Sequence, residues 1–172
     1  MSVEQVLKTF IKRIEQQSKS NLAKSKKKDT GELYNSIKGT VQVHKNSFTL
    51  KFVMEDYGTF IDKGVKGVKS SAKAPNSPFK FGSGSGESGG LTKGINGWVQ
   101  RKRIQFQNEK TGRFMSYKQT AGAIINSIWN KGIRTTNFFT KPFKNEFAKL
   151  PGDVVEAYGL EVTSFLEYTF KK

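Results

Sequence analysis

The sequence contains no cysteine and only one histidine. Without cysteine the chain has no disulfide, no thiolate nucleophile and no cysteine-ligated zinc or iron–sulfur centre. The one histidine, His44, stands among polar residues, so paired-histidine metal sites and Ser/His/Asp catalysis have little support. We therefore expect no site of these kinds and no cofactor.

Long apolar runs are also missing from the chain. No run reaches the roughly 20 residues that a membrane-spanning helix needs, and the N-terminal segment lacks the apolar stretch of a signal peptide. We expect a protein that is made in the cytoplasm and has no contact with a membrane.

Acidic residues are scarce relative to basic ones. The chain carries 30 Lys and Arg against 14 Asp and Glu, a formal net charge of +16, which favours nonspecific nucleic-acid binding. Residues 1–28 and 91–118 are strongly basic, whereas residues 152–172 hold four acids and two lysines. This asymmetry is typical of a protein whose basic face contacts DNA, or of subunits that contact one another through oppositely charged ends. Basic residues that serve only solubility are the alternative.

What is present favours a single α+β domain over residues 1–172. Helical spacing of apolar residues predicts an amphipathic helix over about 2–23, and alternation predicts a β-hairpin that breaks at Lys45 and Asn46. We expect this N-terminal helix and a C-terminal helix to pack on the small antiparallel sheet. The apolar residues that carry these predictions are Val3, Val6, Leu7, Phe10, Ile11 and Ile14 in the helix, and Val41, Val43, Phe48, Leu50, Phe52 and Met54 in the hairpin.

A short helical turn is predicted next, with Gly64 as its left-handed cap. Residues 66–134 are expected to form an insertion with a Gly/Ser loop at 82–90 and helices at about 91–106 and 117–131. The stretch "RTTNFFTKPF" is predicted to be an edge strand, because Pro142 cannot donate to a sheet. The last helix is expected to have Asp153 as its N-cap. Its apolar residues at helical spacing are Val154, Val155, Tyr158, Val162, Phe165 and Leu166.

The tract "GSGSGESGG" contains the spacing G-x-G-x-x-G at Gly84, Gly86 and Gly89. A dinucleotide loop with this spacing follows a buried strand and opens a helix, with an acidic residue about 20 positions later. Lys80 and Phe81 precede the tract instead of an apolar strand, and the nearest suitable acid lies in a polar turn. We interpret the tract as a flexible loop.

Two further groups of residues are candidates for binding or catalysis. Glu55, Asp56 and Asp62 carry the oxygen ligands that Mg²⁺ prefers and would suit a small magnesium-dependent nuclease, but acids at the start of a helical turn are favourable without any metal. In "NGWVQRKRIQF", Arg101, Lys102 and Arg103 are candidate contacts to a DNA backbone, with Trp98 or Phe106 stacking on bases. A core role for Trp98, with the charges on a solvated helix face, is the alternative.

Three short motifs in a fixed order resemble a known family. "TGELYNSI" follows the basic N-terminal helix, "DYGTFIDKGVKG" follows the hairpin, and "KPF" precedes the final helix. This order resembles the neck or tail-completion proteins, the minor tail components of tailed double-stranded DNA bacteriophages. The matching residues are Thr30, Gly31, Leu33, Ser36, Ile37, Tyr57, Ile61, Asp62, Gly64, Lys141, Pro142 and Phe143. About 70 residues separate the second motif from the third, where compact members of the family have a short loop.

The resemblance implies a structural virion protein without an active site, assembled in the bacterial cytoplasm. It implies a homo-oligomeric ring that joins head to tail, with portal or head-completion proteins on one side and tail-tube or tail-terminator proteins on the other. Contact with phage DNA in the channel is a further expectation. Thr30 and Gly31 would shape the turn into the sheet, Tyr57 and Ile61 would pack beneath it, and Phe143 would anchor the last helix. The alternative function is that of a basic nucleic-acid-binding protein.

Overall fold

The computed structural model describes residues 2–25, 29–44, 47–83 and 89–170, with side chains as far as Thr163. In these residues the fold is α+β, as predicted, with seven helices and one antiparallel hairpin. The helices are α1 (Val3–Lys24), α2 (Glu32–Ser36), α3 (Gly58–Lys63), α4 (Gly90–Arg101), α5 (Tyr117–Lys131), α6 (Thr140–Phe147) and α7 (Leu150–Phe170), and the strands are β1 (Lys38–His44) and β2 (Ser47–Val53).

The contacts divide the chain into two compact units. The first unit joins residues 1–58 to residues 137–172, and the second comprises residues 59–136. The insertion expected at 66–134 lies inside the second unit. Part of its Gly/Ser loop, residues 84–88 with Gly84 and Gly86, lies outside the described residues.

The first unit is built around α1, which confirms the amphipathic helix predicted at 2–23. Its start is fixed by a capping box, in which the Ser2 hydroxyl accepts from the Gln5 amide at 3.2 Å and the Ser2 amide donates to Gln5 Oε1 at 3.0 Å. One stripe of the helix is buried and forms the core of the unit. The buried residues are Val6, Leu7, Phe10, Ile11, Ile14, Ser18 and Leu22.

The hairpin packs one face on α1, as predicted. Val41 pairs with Leu50, and both pack against the α1 core together with Phe52. The Phe52 ring meets the Phe10 ring edge-on at 6.5 Å. The predicted break at residues 45–46 lies outside the described residues.

The edge strand predicted at "RTTNFFTKPF" is wrong, because no residue from 134 to 143 lies in a strand and Thr140–Phe147 form α6. Pro142 occupies the first turn of this helix, where a backbone N–H has no partner within the helix, so proline costs nothing there. Val65 and Ile133 do form an isolated antiparallel bridge, but no strand develops around them.

The last helix, α7, begins earlier than the sequence indicates. It starts at Leu150, and the Asp153 amide donates to the Lys149 carbonyl at 3.2 Å, so Asp153 lies inside the first turn and is not the N-cap. Leu150 and Ala157 are buried against α1. The Glu161 carboxylate accepts from the Val3 amide at 3.0 Å and so occupies the N-terminus of α1. The side chains of Phe165 and Leu166 lie outside the described residues.

In the second unit α4 packs against α5. The predicted helix at 117–131 is confirmed as α5, and its capping box pairs Ser116 with Gln119. The predicted helix at 91–106 is too long, because α4 ends at Arg101. Arg103 takes a left-handed φ of 53°, and the Ile104 amide donates back to the Val99 carbonyl at 3.0 Å. This is a Schellman ending in which arginine occupies the position that glycine usually fills.

Candidate functional site

The first motif, "TGELYNSI", forms α2 and the turn before it. Gly31 begins this helix with φ of 90° and ψ of 0°, a left-handed conformation that glycine adopts without strain. The Asn35 amide donates to the Gly31 carbonyl at 2.9 Å, and the Thr30 hydroxyl accepts from the Glu32 amide at 3.4 Å. Thr30 and Gly31 therefore shape the entry into a short helix, and the sheet begins only after Ile37, which is buried.

Two hydrogen bonds connect this motif to the segment before α3. The Leu33 amide donates to the Tyr57 hydroxyl at 3.1 Å. The Ser36 hydroxyl accepts from the Glu55 amide at 3.0 Å and donates to the Leu33 carbonyl at 3.0 Å. Residues about 20 positions apart in the chain thus form one structural site, which we call the Leu33–Tyr57 junction (residues 30–37 and 54–58).

Tyr57 acts in this junction through its hydroxyl. Its side chain is 41% exposed, so the expectation that Tyr57 packs beneath the sheet is wrong. Partial burial raises the pKa of the Tyr57 phenol, and the carboxylates of Glu32, Glu55 and Asp29 raise it further against the opposing hydrogen bond from Leu33.

Gly58 was not singled out in the sequence, yet the junction depends on it. A Cβ at this position would lie 2.7 Å from Leu33 Cδ1 and 2.8 Å from the Met54 sulfur. The buried Leu33 side chain therefore occupies the space that any larger residue at position 58 would need. A glycine within a "DYG" sequence gave no sign of this distant contact.

The third motif, "KPF", places Pro142 and Phe143 in an aromatic cluster in the first unit. Pro142 is fully buried, and the Phe143 ring lies 6.3 Å from Phe10 and 6.0 Å from Phe52. Phe139 completes the contact with Phe52 at 5.4 Å. Phe143 therefore anchors α6, a helix separate from the last one.

Beside this cluster, α6 carries a buried acid that the sequence analysis missed. The Glu146 side chain is 8% exposed and accepts from Gln17 Nε2 at 3.1 Å, and Arg13 and Lys149 each approach it to 3.7 Å. A cavity of about 280 Å³ lies next to it, lined in part by Arg13, Asp153 and Glu156. A buried charge with several partners indicates a positioning role in the α1–α6 contact.

The remaining motif residues lie in the second unit, where residues 61–69 run alongside residues 129–136. The Thr136 hydroxyl donates to the Ile61 carbonyl at 2.7 Å, and the Thr136 amide donates to the carbonyl of the buried Asp62 at 3.1 Å. Gly64 takes the left-handed φ of 72° expected for it, and its carbonyl accepts from the buried Ser77 hydroxyl at 2.7 Å. Ile61 and Asp62 therefore bind the backbone of this segment to Thr136, and Gly64 binds it to Ser77.

The proposed magnesium ligands do not form a metal site in the residues that the structure describes. No group of three or more His, Asp or Glu side chains there is placed to hold a metal ion. Asp62 is buried, whereas Glu55 and Asp56 are exposed. The geometry therefore gives no support to a magnesium-dependent nuclease.

The basic candidates lie together where α4 ends. Arg101 is the last helical residue, Lys102 is the C-cap and Arg103 is the left-handed residue after it, and all three are exposed. Trp98 is half-buried, whereas Phe106 is 43% exposed. The second unit as a whole holds fourteen Lys and Arg against three acids, a net charge of +11 out of the +16 of the chain.

The outer side of α7 is apolar and uncovered. Val155, Tyr158 and Val162 repeat at i, i+3 and i+7, and they are 72%, 64% and 39% exposed. We call these three residues the α7 outer face. Four acids and no Lys or Arg occur between residues 150 and 170. Asp153 and Glu156 line the cavity beside α1, and Glu161 accepts from the Val3 amide, so these acids lie toward α1. An exposed apolar stripe on a helix is typical of an interaction surface.

Comparison with protein-family models, curated proteins and solved structures finds no match to this chain. Within the described residues, no helix is both long enough and apolar enough to span a membrane. The resemblance to phage neck proteins therefore stays a prediction that depends on the three motifs.

Proposed function

We propose that this chain is a structural virion protein of a tailed double-stranded DNA bacteriophage. It joins the head to the tail as one subunit of a neck or tail-completion ring, with portal or head-completion proteins on one side and tail-tube or tail-terminator proteins on the other. It acts by binding its neighbours and catalyses no reaction.

The observation that carries this proposal is the α7 outer face. A closed ring requires two different, complementary surfaces on each subunit. The α7 outer face supplies an apolar patch on a helix that holds four acids and no Lys or Arg, and the basic stretches at 1–28 and 91–118 supply the opposite charge for the next copy of the chain.

The arrangement of the motifs supports the same proposal. The residues that carry the resemblance form the Leu33–Tyr57 junction, the aromatic contacts of Phe143 and the backbone contacts of Ile61, Asp62 and Gly64. In each case the residue holds backbone or core together. Such roles suit a scaffold that presents surfaces to neighbours.

The first test is the position of the chain in a virion. Gold-labelled antibodies against the purified chain should bind phage particles at the head–tail junction, and the neighbouring genes should encode portal, capsid or tail-tube proteins. Label on the capsid or the tail tip, or a neighbourhood without virion genes, would contradict the proposal.

A second test addresses the ring contact. Tyr158→Glu places a charge on the α7 outer face and should stop assembly of tailed, infectious particles while the chain stays folded. Gln42→Glu, which adds the same charge at an exposed position of β1, is the matched control and should assemble normally. Equal assembly of both variants would exclude the α7 outer face as a subunit contact.

Nucleic-acid binding is the second candidate function, and the net charge of +11 on the second unit favours it. Arg101, Lys102 and Arg103 are its candidate phosphate contacts. Replacing all three by Gln should weaken duplex binding and lower its salt dependence by about 2.7 in the slope of log K against log salt, if each contacts one phosphate. Unchanged duplex binding would exclude this patch.

A further inference from the structure

Between α4 and α5 the chain forms a small two-armed projection, the basic finger (Gln105–Met115). Gln107 and Phe114 pair as an antiparallel bridge, and the Met115 amide donates to the Phe106 carbonyl at 2.8 Å. At the tip, Asn108 Oδ1 accepts from the amides of Lys110 and Thr111 at 2.9 and 3.2 Å. The finger therefore has a defined backbone although it contains no regular strand.

The base of the finger is fixed to the α4–α5 pair. The Phe106 amide donates to the hydroxyl of Thr120, a fully buried residue of α5, at 3.2 Å. The capping box of Ser116 and Gln119 begins α5 directly after the finger. A surface held in this way loses little conformational entropy when it binds a ligand.

The finger and its two ends are basic. Residues 101–118 contain six Lys and Arg and one acid, Glu109. Within the described residues, Arg103, Lys110, Arg113 and Lys118 have no carboxylate within ion-pair distance. Their charges are therefore available to phosphate groups.

One aromatic ring stands in the middle of this charge. Phe114 is 72% exposed, although it follows Arg113 directly and is paired across the finger. An open depression of about 630 Å³ lies against the finger, lined by residues 105–110 and Met115. An exposed ring that the fold holds in place among cations is the arrangement with which proteins stack unpaired bases.

We propose that the basic finger binds single-stranded nucleic acid, with Phe114 stacking on a base and Lys110 and Arg113 contacting the backbone phosphates. This rests on the second candidate function, nucleic-acid binding, and adds to it a site and a substrate class. A membrane surface fits less well, because Phe106 is the one other exposed apolar residue of the finger and its remaining exposed residues are polar, charged or glycine.

The experiment measures fluorescence anisotropy of the full chain with a labelled oligothymidine and with a duplex of equal length. Phe114→Ala should weaken single-strand binding about 5- to 100-fold and change duplex binding little. Phe114→Tyr keeps a ring and should bind nearly as the wild type does. Phe48→Ala removes a ring that is 41% exposed in β2 and is the matched control, which should bind normally.

The charges are tested separately through salt. Lys110→Ala with Arg113→Ala should lower the slope of log K against log salt by about 1.4 on the single strand. Lys38→Ala with Lys51→Ala, which removes the same charge from the exposed side of the hairpin, should leave binding through the finger intact. Far-UV circular dichroism of each variant shows whether it is folded.

Single-strand binding that is indifferent to Phe114→Ala would overturn the proposal, as would a preference for duplex that Phe114→Ala reduces equally. Vesicles of anionic phospholipid provide the third ligand. Vesicle binding that is lost in Phe114→Ala, without any effect on the oligonucleotide, would assign the finger to a membrane instead. Duplex binding that depends only on Arg101, Lys102 and Arg103 would leave the second candidate function in place without the finger.

Discussion

At Tyr57, one hydroxyl group joins two segments that sequence reading kept apart. Tyr57→Phe should lower the free energy of unfolding by about 1–2 kcal/mol, because the Leu33 amide loses its acceptor. Urea unfolding followed by far-UV circular dichroism measures this change. Tyr158→Phe removes a hydroxyl from a side chain that is 64% exposed and should change nothing. Equal stability of Tyr57→Phe and wild type would mean that water replaces the bond without cost.

The same hydroxyl predicts a pH dependence. Burial raises the pKa of Tyr57, so the folded state keeps its proton at a pH where the unfolded state has begun to lose it. The contribution of Tyr57 to the free energy of unfolding is therefore complete below the ordinary tyrosine pKa of about 10. It is lost as the pH rises through the higher pKa that Tyr57 has in the folded state. The stability difference between wild type and Tyr57→Phe should be smaller at about pH 11 than at about pH 9. A difference that grows with pH would contradict the direction of the shift.

Ser18 is a buried polar residue that lowers the stability of the fold. It is fully buried in α1, and its hydroxyl has no hydrogen-bond partner among the described residues. Ser18→Ala should raise the free energy of unfolding by about 1–3 kcal/mol, because it removes an unpaired buried group. Ser20→Ala, at an exposed position of the same helix, should gain only the difference in helix propensity, about 0.5 kcal/mol. Thermal unfolding of the two variants makes the comparison, and equal gains would show that burial of the Ser18 hydroxyl carries no cost.

Among the elements, the end of α5 shows how strongly one glycine is required. Gly132 has a φ of 79°, and a Cβ there would lie 2.3 Å from the Val65 carbonyl oxygen. Gly132→Ala should destabilise the second unit by about 3 kcal/mol or more, since strain and a backbone clash add. Gly122→Ala, in the same helix with open space around it, should stabilise by about 1 kcal/mol. Chemical denaturation of both variants measures the contrast. A small loss of stability in Gly132→Ala would show that the bridge between Val65 and Ile133 can shift to make room for a methyl group.

Elements with strong periodicity were predictable from the sequence, and their ends were less so. The apolar stripe of α1 and the alternation in the hairpin gave both elements nearly complete. The end of α4 was missed because Arg103 adopts a left-handed conformation without the glycine that would mark it. The α6 helix was missed because Pro142 favours an edge strand when the sequence is read alone, although the first helical turn also accepts proline.

The junction and the buried acid depend on distant contacts that local patterns do not contain. Tyr57 and Gly58 were readable as a turn, but not as partners of Leu33, which lies more than 20 residues earlier. Glu146 looks in sequence like a surface acid on a short helix, and only Gln17 and Arg13 of α1 explain its burial. The motif order indicated Leu33, Tyr57 and Phe143, whereas Gly58 and Glu146 and all the contacts became visible only in the fold.

For the whole molecule, the division into two units has a measurable signature. Both tryptophans, Trp98 and Trp129, belong to the second unit. Tryptophan fluorescence should therefore follow the second unit, whereas far-UV circular dichroism follows both. Gly132→Ala should shift the fluorescence transition, and Ser18→Ala should shift the dichroism more than the fluorescence. One common transition that every variant shifts equally would show that the chain unfolds as a single cooperative unit.

The first unit combines residues 1–58 with residues 137–172, so the ribosome synthesises its two parts at different times. All of residues 59–136 are synthesised before the first of the later residues appears, a delay of about 4–16 s at ordinary elongation rates. During that interval Phe10 and Phe52 lack their ring contacts with Phe143 and Phe139, which have not yet been synthesised. The second unit already has its complete sequence at the end of the interval. The nascent chain thus passes through a stage with one finished unit and one open apolar core, which is the stage at which a chaperone would bind it.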